Sequence, residues 1–397
     1  MTAPRLLSFT TLYPNAAAPN QGVFVENRLR HLVGTGEATA TVLAPVPWFP
    51  SRDPRFGAWA RHAAAPATEQ RHGLTVLHPR YPVLPRIGMN VAPYLLYLAA
   101  ARAVARLLAQ GARFDLIDAH YLYPDGVAAV WLGRRFNLPV VLTARGSDVT
   151  QLPDYAIPRA LIRRATAEAA GLITVSAGLK AGLVALGVAP GRITVLRNGV
   201  DLTMFQPRDR AQARVHWGVE GRTLLSVGGL VARKGHDLTI RALAKLPGWR
   251  LLIAGEGPEY AKLQALAGQL GVADRVRLLG GVPHDALPAL YSAADISVLS
   301  SSREGWANVL LESMACGTPV VASPIPGNDE VVTAPQAGVI ATARTPEAIA
   351  TAVLGLAAAA PSPAATTAYA AGFSWDATSA GQLALFRAVL ASRAGTG

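Results

Sequence analysis

The sequence predicts an α/β fold of two doubly wound parallel sheets, each with its own core. Short apolar runs alternate with helical periodicity along the whole chain, the pattern of repeated βαβ units. At 397 residues the chain exceeds one ordinary core, so two domains of about 150–200 residues are expected. The alternation also loosens once, at Gln206-Pro207-Arg208-Asp209, where a linker fits.

Taken in order, the first half predicts strands at 6–9, 41–44, 116–119, 140–143, 172–175 and 193–196. Helices are expected near 25–33, 94–108, 126–136, 159–169 and 177–186. A second series follows at 224–227, 251–254, 276–279, 296–299 and 320–322, again with helices between. Pro361-Ser362-Pro363 breaks the pattern late, and 375–392 reads as a last amphipathic helix. The expected domains are 1–205 and 206–374. Two such sheets side by side imply a ligand cleft between them.

Composition narrows the class. Half of the residues are hydrophobic and 16% are charged, which is a globular balance. The one cysteine, Cys316, lies in an apolar helical stretch, so no disulfide framework or thiol metal cluster is expected, and a reducing cytoplasm fits. Met1–Arg5 leads into an apolar strand without a signal-peptide core. The longest apolar stretch of the first half, around 91–101, falls short of the ~20 residues needed to cross a bilayer.

The net charge of +12 is uneven: residues 1–200 hold 21 Lys+Arg against 10 Asp+Glu, and residues 201–397 hold 16 against 15. A basic first half suits an anionic lipid surface, an anionic acceptor or nucleic acid. Arginine-decorated solvated faces account for it equally well. With no aromatic-interleaved basic stripe and no zinc spacing, no nucleic acid partner is expected.

The motifs gather at strand ends, where open α/β sheets bind ligands. After the 296–299 strand come Glu304-Gly305-Trp306-Ala307-Asn308-Val309-Leu310-Leu311-Glu312. Asn308 is a good N-cap, and Gly317 with Pro319 a good stop, so a helix is expected over 309–316. Free amides at Val309, Leu310 and Leu311 then favour an anion such as a diphosphate. Glu304 lies in the preceding loop, so the two carboxylates suit different tasks; a solvated loop residue and a helix-dipole partner is the plain alternative.

Ser226-Val227-Gly228-Gly229-Leu230-Val231-Ala232-Arg233-Lys234-Gly235-His236 ends the first strand of the second half. Glycine permits close backbone approach, and Arg233 and Lys234 can neutralise a diphosphate. Gly255-Glu256-Gly257-Pro258 lacks the third glycine of a dinucleotide fingerprint. In the first half, His120 ends a strand, where it either donates to a sugar hydroxyl or is a satisfied turn histidine. Arg145-Gly146-Ser147-Asp148 closes the next strand and adds acceptor-side candidates, Arg145 and Asp148. The segment 13–26, with Gly22, is a long loop feeding a helix, and such loops are often functional.

Together these motifs resemble the retaining GT-B glycosyltransferases of family 4, also called group 1. The resemblance covers nearly the whole chain: Gly22-Val23-Phe24-Val25, His120, Val175-Ser176 with Leu179-Lys180, Asn198-Gly199-Val200-Asp201 with Phe205 and Pro207, Lys234-Gly235, Gly255-Glu256-Gly257-Pro258, and Glu304 with Glu312. It implies two Rossmann-like domains, with the C-terminal helix 375–397 returning to the N-terminal one. It also implies a cytoplasmic, hexosyltransferase-like enzyme of cell-surface polysaccharide synthesis, and the basic first half suggests a peripheral place on the inner face of the membrane.

The donor it implies is a UDP- or GDP-sugar, used without metal or other cofactor, and the acceptor a lipid-linked or other glycan. Glu304, His120 and Lys234 would form the catalytic set. Gly22, Gly229, Arg233, Lys234, Gly281, Glu304, Trp306, Ala307, Asn308, Val309 and Glu312 would hold the donor, Glu312 at the ribose and the backbone near Gly280–Val282 at the base. Two departures stand out. Gly229 replaces an arginine of the common pattern, which Arg233 is expected to replace from a new position. Arg145 replaces a histidine, and either an anionic ligand or a pairing with Asp148 would explain it.

Overall fold

The computed structural model describes residues 3–84 and 86–394. The chain forms two compact units: one runs to Asn198 and resumes at Asp376, and the other is Gly199–Trp375. The boundary thus falls before the predicted linker. Phe205 is buried in the second unit against His284 and Tyr291, with ring centroids 5.1 and 6.3 Å away. Asp209 accepts from the Gln212 amide at 2.9 Å and caps the helix Arg210–Trp217.

The first unit contains β1 (Arg5–Phe9), β2 (Thr39–Leu43), β3 (Val46–Pro47), β4 (Thr68–Arg71), β5 (Leu74–Leu77), β6 (Arg80–Tyr81), β7 (Leu116–His120), β8 (Val140–Ala144), β9 (Gly171–Thr174) and β10 (Ile193–Val195). Eight of these form a sheet in the order β10-β9-β8-β7-β1-β2-β5-β4, while β3 and β6 pair separately. Every pair is parallel except β4–β5. The central strands are buried on both faces, which is why they are mostly apolar, with Asp118 and His120 of β7 the buried exceptions.

The segment 45–93 carries four short strands that the periodicity did not reveal, because two-residue and half-exposed strands show no apolar run. The last helix, Trp375–Ala394, places Leu383, Phe386 and Val389 in the core of this first unit, beside Leu6, Leu29 and Ile173. The apolar stretch near 91–101 proves to be part of a 22-residue helix, Gly88–Ala109. By length and composition alone that helix could cross a membrane. Leu96, Ala100 and Val104 are nevertheless fully buried within the unit.

The second unit holds β11 (Arg222–Val227), β12 (Trp249–Ala254), β13 (Val276–Gly280), β14 (Ile296–Leu299), β15 (Val320–Ala322) and β16 (Gly338–Ile340) in a parallel sheet ordered β13-β12-β11-β14-β15-β16. Leu224, Leu251, Ile253, Ile296 and Val298 meet Ile240, Leu243 and Val353 in its core. Each sheet reverses direction once, between β1 and β7 in the first and between β11 and β14 in the second. The carboxyl ends of those strands are where open sheets take ligands, and the sequence motifs end there.

Candidate active site

In the second unit, the segment after β11 turns through a short 3-10 helix, Ala232–Lys234, into the helix His236–Leu243. The turn depends on Gly235, whose φ is 68° and where a Cβ would lie 2.1 Å from Ser300 O. This backbone contact joins the β11 loop to the β14 loop across the switch point. Lys234 Nζ donates to Glu304 Oε1 at 2.6 Å, and Ser301 Oγ donates to the same oxygen at 2.7 Å. Arg233 Nη1 lies 3.7 Å from the other carboxylate oxygen. The side chains of Lys234 and Glu304 are 13% and 9% exposed, whereas Arg233 is 44% exposed. One ammonium has three donors, so Lys234 retains capacity for an anion while holding Glu304.

Beneath the loop, His236 Nδ1 faces Ser226 Oγ at 3.0 Å, and burial pushes its pKa down to about 4. The imidazole is therefore neutral at physiological pH, and the cations of the loop are Arg233 and Lys234. At Gly229 a Cβ would meet only Glu256 O, at 3.7 Å, so nothing in the packing forbids a side chain there. Gly281 lies against the Glu256 carboxylate, which a Cβ at Gly281 would approach to 2.8 Å.

The helix that carries Glu312 is Asn308–Ala315, with Ala307 as its N-cap. The predicted capping role of Asn308 is thus corrected: the helix starts one residue earlier, and Asn308 is its first residue. Leu310 N donates to Ala307 O at 3.0 Å and Asn308 N to Trp306 O at 3.2 Å. This tightened first turn uses the Leu310 amide, so the expected trio of free amides is not intact. Trp306 and Ala307 are buried just before it.

Glu312 accepts from Tyr291 Oη at 3.1 Å, and His284 Nε2 lies 3.6 Å from its other oxygen. Burial opposes protonation of His284, but the hydrogen bond and charge of Glu312, with Asp201 and Asp285, outweigh it and raise the pKa. Burial, then the Glu312 charge, holds the Tyr291 phenol protonated. The two glutamates therefore belong to separate sets: Glu304 to Lys234, Arg233 and Ser301, and Glu312 to Tyr291 and His284.

In the first unit Gly22 caps the helix Val23–Gly34 with φ 70°, and a Cβ there would lie 2.3 Å from the Leu12 carbonyl. The loop before it is held by Asp125, whose carboxylate accepts from Thr11 N at 2.6 Å and from Thr11 Oγ1 at 3.0 Å. Burial outweighs these bonds and lifts the Asp125 pKa to about 7.

His120 is fully buried. Its Nδ1 lies 2.7 Å from Arg145 Nη2, which can only donate, so the ring proton is on Nε2, 3.2 Å from Asp118 Oδ2. Burial carries its pKa down to about 4. Both ring nitrogens thus face protein groups.

The two explanations for Arg145 now separate. Asp148 accepts backbone amides from Arg145, Gly146 and Leu122, and the Arg145 guanidinium goes elsewhere, to His120 and to Asn198 Oδ1 at 3.1 Å. Arg28, equally buried, bonds Gln382 Oε1 at 2.9 Å and Leu196 O at 3.0 Å. Arg28 Nη2 and Arg145 Nε have no hydrogen-bond partner among the described residues. Asp118 faces both guanidiniums, and Asp148, though held by amides, adds its charge beside Arg145. Burial lowers the pKa of both, that of Arg28 to about 10. Sequence reasoning missed Arg28 and Asp125; their partners lie 354 and 114 residues away, and no local pattern marks them.

Two doubly wound units with their polar clusters at the switch points define the GT-B class. The model for "Glycosyl transferases group 1" matches residues 207–372, and that for "Glycosyltransferase Family 4" matches residues 59–204. The D-inositol 3-phosphate glycosyltransferase of Acidothermus cellulolyticus is 34% identical over 328 residues, 76% of this chain and 73% of that protein. The chain belongs to the group 1, family 4 glycosyltransferases. The enzyme of the same name from Mycobacteroides abscessus is 34% identical over 67% of this chain, although the match spans 64% of that protein, under two thirds of its length.

Among solved structures, sucrose-phosphate synthase from Thermosynechococcus elongatus has a TM-score of 0.79 at 22% identity, covering 98% of this chain and 99% of that one. Anabaena HepE in complex with UDP-glucose has a TM-score of 0.73 at 19% identity, covering 96% and 98%. These likenesses are of fold.

Proposed function

We propose that the chain transfers a sugar from a UDP- or GDP-sugar to an acceptor with retention of anomeric configuration. The observation that carries this reading is the cluster at the β11–β14 switch point, where Lys234, Arg233 and Glu304 meet on two loops joined through Gly235. In this reading Lys234 and Arg233 take the diphosphate, with no metal required, and stabilise charge as it develops on the leaving group. Glu304 addresses the donor sugar. Glu312, oriented by Tyr291 and His284, takes the ribose hydroxyls, and the backbone at Gly280–Val282 takes the base.

The acceptor is proposed to be anionic. Arg28 Nη2 and Arg145 Nε are buried without a hydrogen-bond partner among the described residues, and the curated relatives are named for inositol 3-phosphate. His120 serves here by holding the Arg145 guanidinium in place. A phosphate-bearing lipid-linked glycan of a cell-surface pathway, met at the inner face of the membrane, fits this chemistry and the basic first half of the chain.

Calorimetric titration with UDP and GDP tests the donor site. Lys234→Ala is expected to weaken the preferred nucleotide by about 10- to 100-fold, the worth of a charge-assisted bond in a part-buried site. Arg233→Ala, more exposed, is expected to cost roughly three- to tenfold. Unchanged affinity in the Arg233 variant removes its proposed compensation for Gly229. Unchanged affinity in both removes the donor site from this cluster.

A further inference from the structure

The last helix, Trp375–Ala394, sends the fully buried Gln382 into the polar cluster of the first unit, where six side chains close a ring. Arg28 Nε donates to Gln382 Oε1 at 2.9 Å, and Gln382 Nε2 donates to Asp118 Oδ2 at 3.2 Å. His120 Nε2 lies 3.2 Å from that same oxygen, and Arg145 Nη2 meets His120 Nδ1 at 2.7 Å. Arg145 Nη1 and Arg28 Nη1 both reach Asn198 Oδ1, at 3.1 and 3.4 Å, which completes the circuit.

The two arginines fix the direction of the ring, because a guanidinium only donates. Arg28 makes Gln382 Oε1 an acceptor, so the amide gives its proton to Asp118. Arg145 makes His120 Nδ1 an acceptor, so the Nε2 proton faces Asp118. Both chains thus converge on one carboxylate oxygen. Burial opposes the charge of Asp118, but His120, Arg28 and Arg145 outweigh it and keep the pKa below the usual carboxylate value.

Gln382 therefore stands between a cation and a carboxylate that would otherwise pair. Arg28 Nη2 and Asp118 Oδ1 are both buried without a hydrogen-bond partner among the described residues. Without the amide, their attraction in a low-dielectric interior would draw the carboxylate toward Arg28. His120 would then lose the group its Nε2 faces, and Arg145 the fixed acceptor at Nη2. Arg145 is 8% exposed and the other five members 4% or less, so it is the member of the ring nearest solvent.

We propose that Gln382 is a positioning residue of the acceptor site: its amide keeps Arg28 from capturing Asp118, so that Asp118 holds His120 and His120 holds the Arg145 guanidinium for an anion. The inference deepens the reading of an anionic acceptor at Arg145 and rests on it.

Nuclear magnetic resonance of the full chain, labelled with nitrogen-15 at histidine and arginine, reads both ends of this link. The wild type is expected to show a neutral His120 with its proton on Nε2. In Gln382→Leu that proton's resonance should move upfield as Asp118 turns to Arg28. Adding Arg28→Met removes the competing cation, so the double variant should regain the wild-type His120 signal. A role in packing alone predicts the reverse, since a second substitution disturbs the core further. Inorganic phosphate, followed at Arg145 Nε–H, should bind Gln382→Leu at least ~fivefold more weakly than wild type, with affinity for UDP and GDP unchanged.

An unmoved His120 signal in Gln382→Leu overturns the proposal, as does a double variant that fails to fold or keeps the displaced signal. Wild-type phosphate affinity beside a displaced His120 overturns it too. Where Gln382→Leu alone does not fold, recovery of both fold and His120 signal in the double variant supports it. If phosphate leaves the wild-type Arg145 signal unmoved, the anionic-acceptor reading falls instead, and the His120 signals alone decide the role of Gln382.

Discussion

Lys234 and Glu304 are proposed to serve two parts of one ligand. Their contact at 2.6 Å neutralises a carboxylate that would otherwise repel a diphosphate, and two ammonium donors remain for phosphate oxygens. In the first unit Asp125 works differently, as a buried carboxyl that holds the loop leading to Gly22. Its pKa is raised from 3.8 to about 7, so the folded state keeps a proton that the unfolded chain releases. Its contribution to stability is therefore full below about pH 4 and is lost as pH rises toward 7. Asp125→Asn, which cannot ionise, should gain on the wild type across that window, by roughly a few kcal/mol at most. Thermal melts of both proteins from pH 4 to 8 check this; parallel melting curves across the range would show that Asp125 is ionised throughout.

At the scale of elements, the long parallel strands were legible because burial on both faces writes them as apolar runs, as in β7, β8 and β14. The loops at their ends were legible because glycines and a change to polar residues mark where each apolar run stops. The short pairs β3–β6 and β4–β5 were not, since β3 and β6 have two residues each, β4 is polar, and β5 alternates over only four residues. The start of the Glu312 helix was misplaced by one residue because Asn308 has the side chain of a cap. The backbone begins the helix at Asn308 instead, through the bonds to Trp306 and Ala307 carbonyls. The buried set of Arg28, Asp118, His120, Arg145 and Gln382 joins residues far apart in sequence, so its members could be nominated singly but not assembled.

The loop around Gly235 offers a test at this scale. Gly235→Ala adds a Cβ 2.1 Å from Ser300 O at a φ of 68°, so the β11 and β14 loops must separate. A loss of stability of about 1–3 kcal/mol is expected, together with a fall in nucleotide affinity larger than the stability loss alone explains. Denaturant melts and calorimetry on the same variant separate the two. A stable variant with wild-type affinity would show that the two loops need not be held together.

For the whole molecule, each unit puts its polar cluster at its own switch point, and the two clusters differ in kind. The second unit offers cations, carboxylates and backbone amides suited to a nucleotide sugar. The first offers two buried guanidiniums, Arg28 and Arg145, each with one donor lacking a hydrogen-bond partner among the described residues. This division explains the uneven charge, since most of the basic excess lies in the unit proposed to meet an anionic acceptor and surface.

The most direct measurement is a nuclear magnetic resonance time course of the protein with UDP- and GDP-sugars, with and without a membrane lipid extract as acceptor. It follows the donor anomeric proton, the free nucleoside diphosphate and the product anomeric proton together. The account predicts release of nucleoside diphosphate only when acceptor is present, and a product that keeps the donor's anomeric configuration. Consumption of donor without acceptor, an inverted product, or no turnover across the donor panel would contradict it.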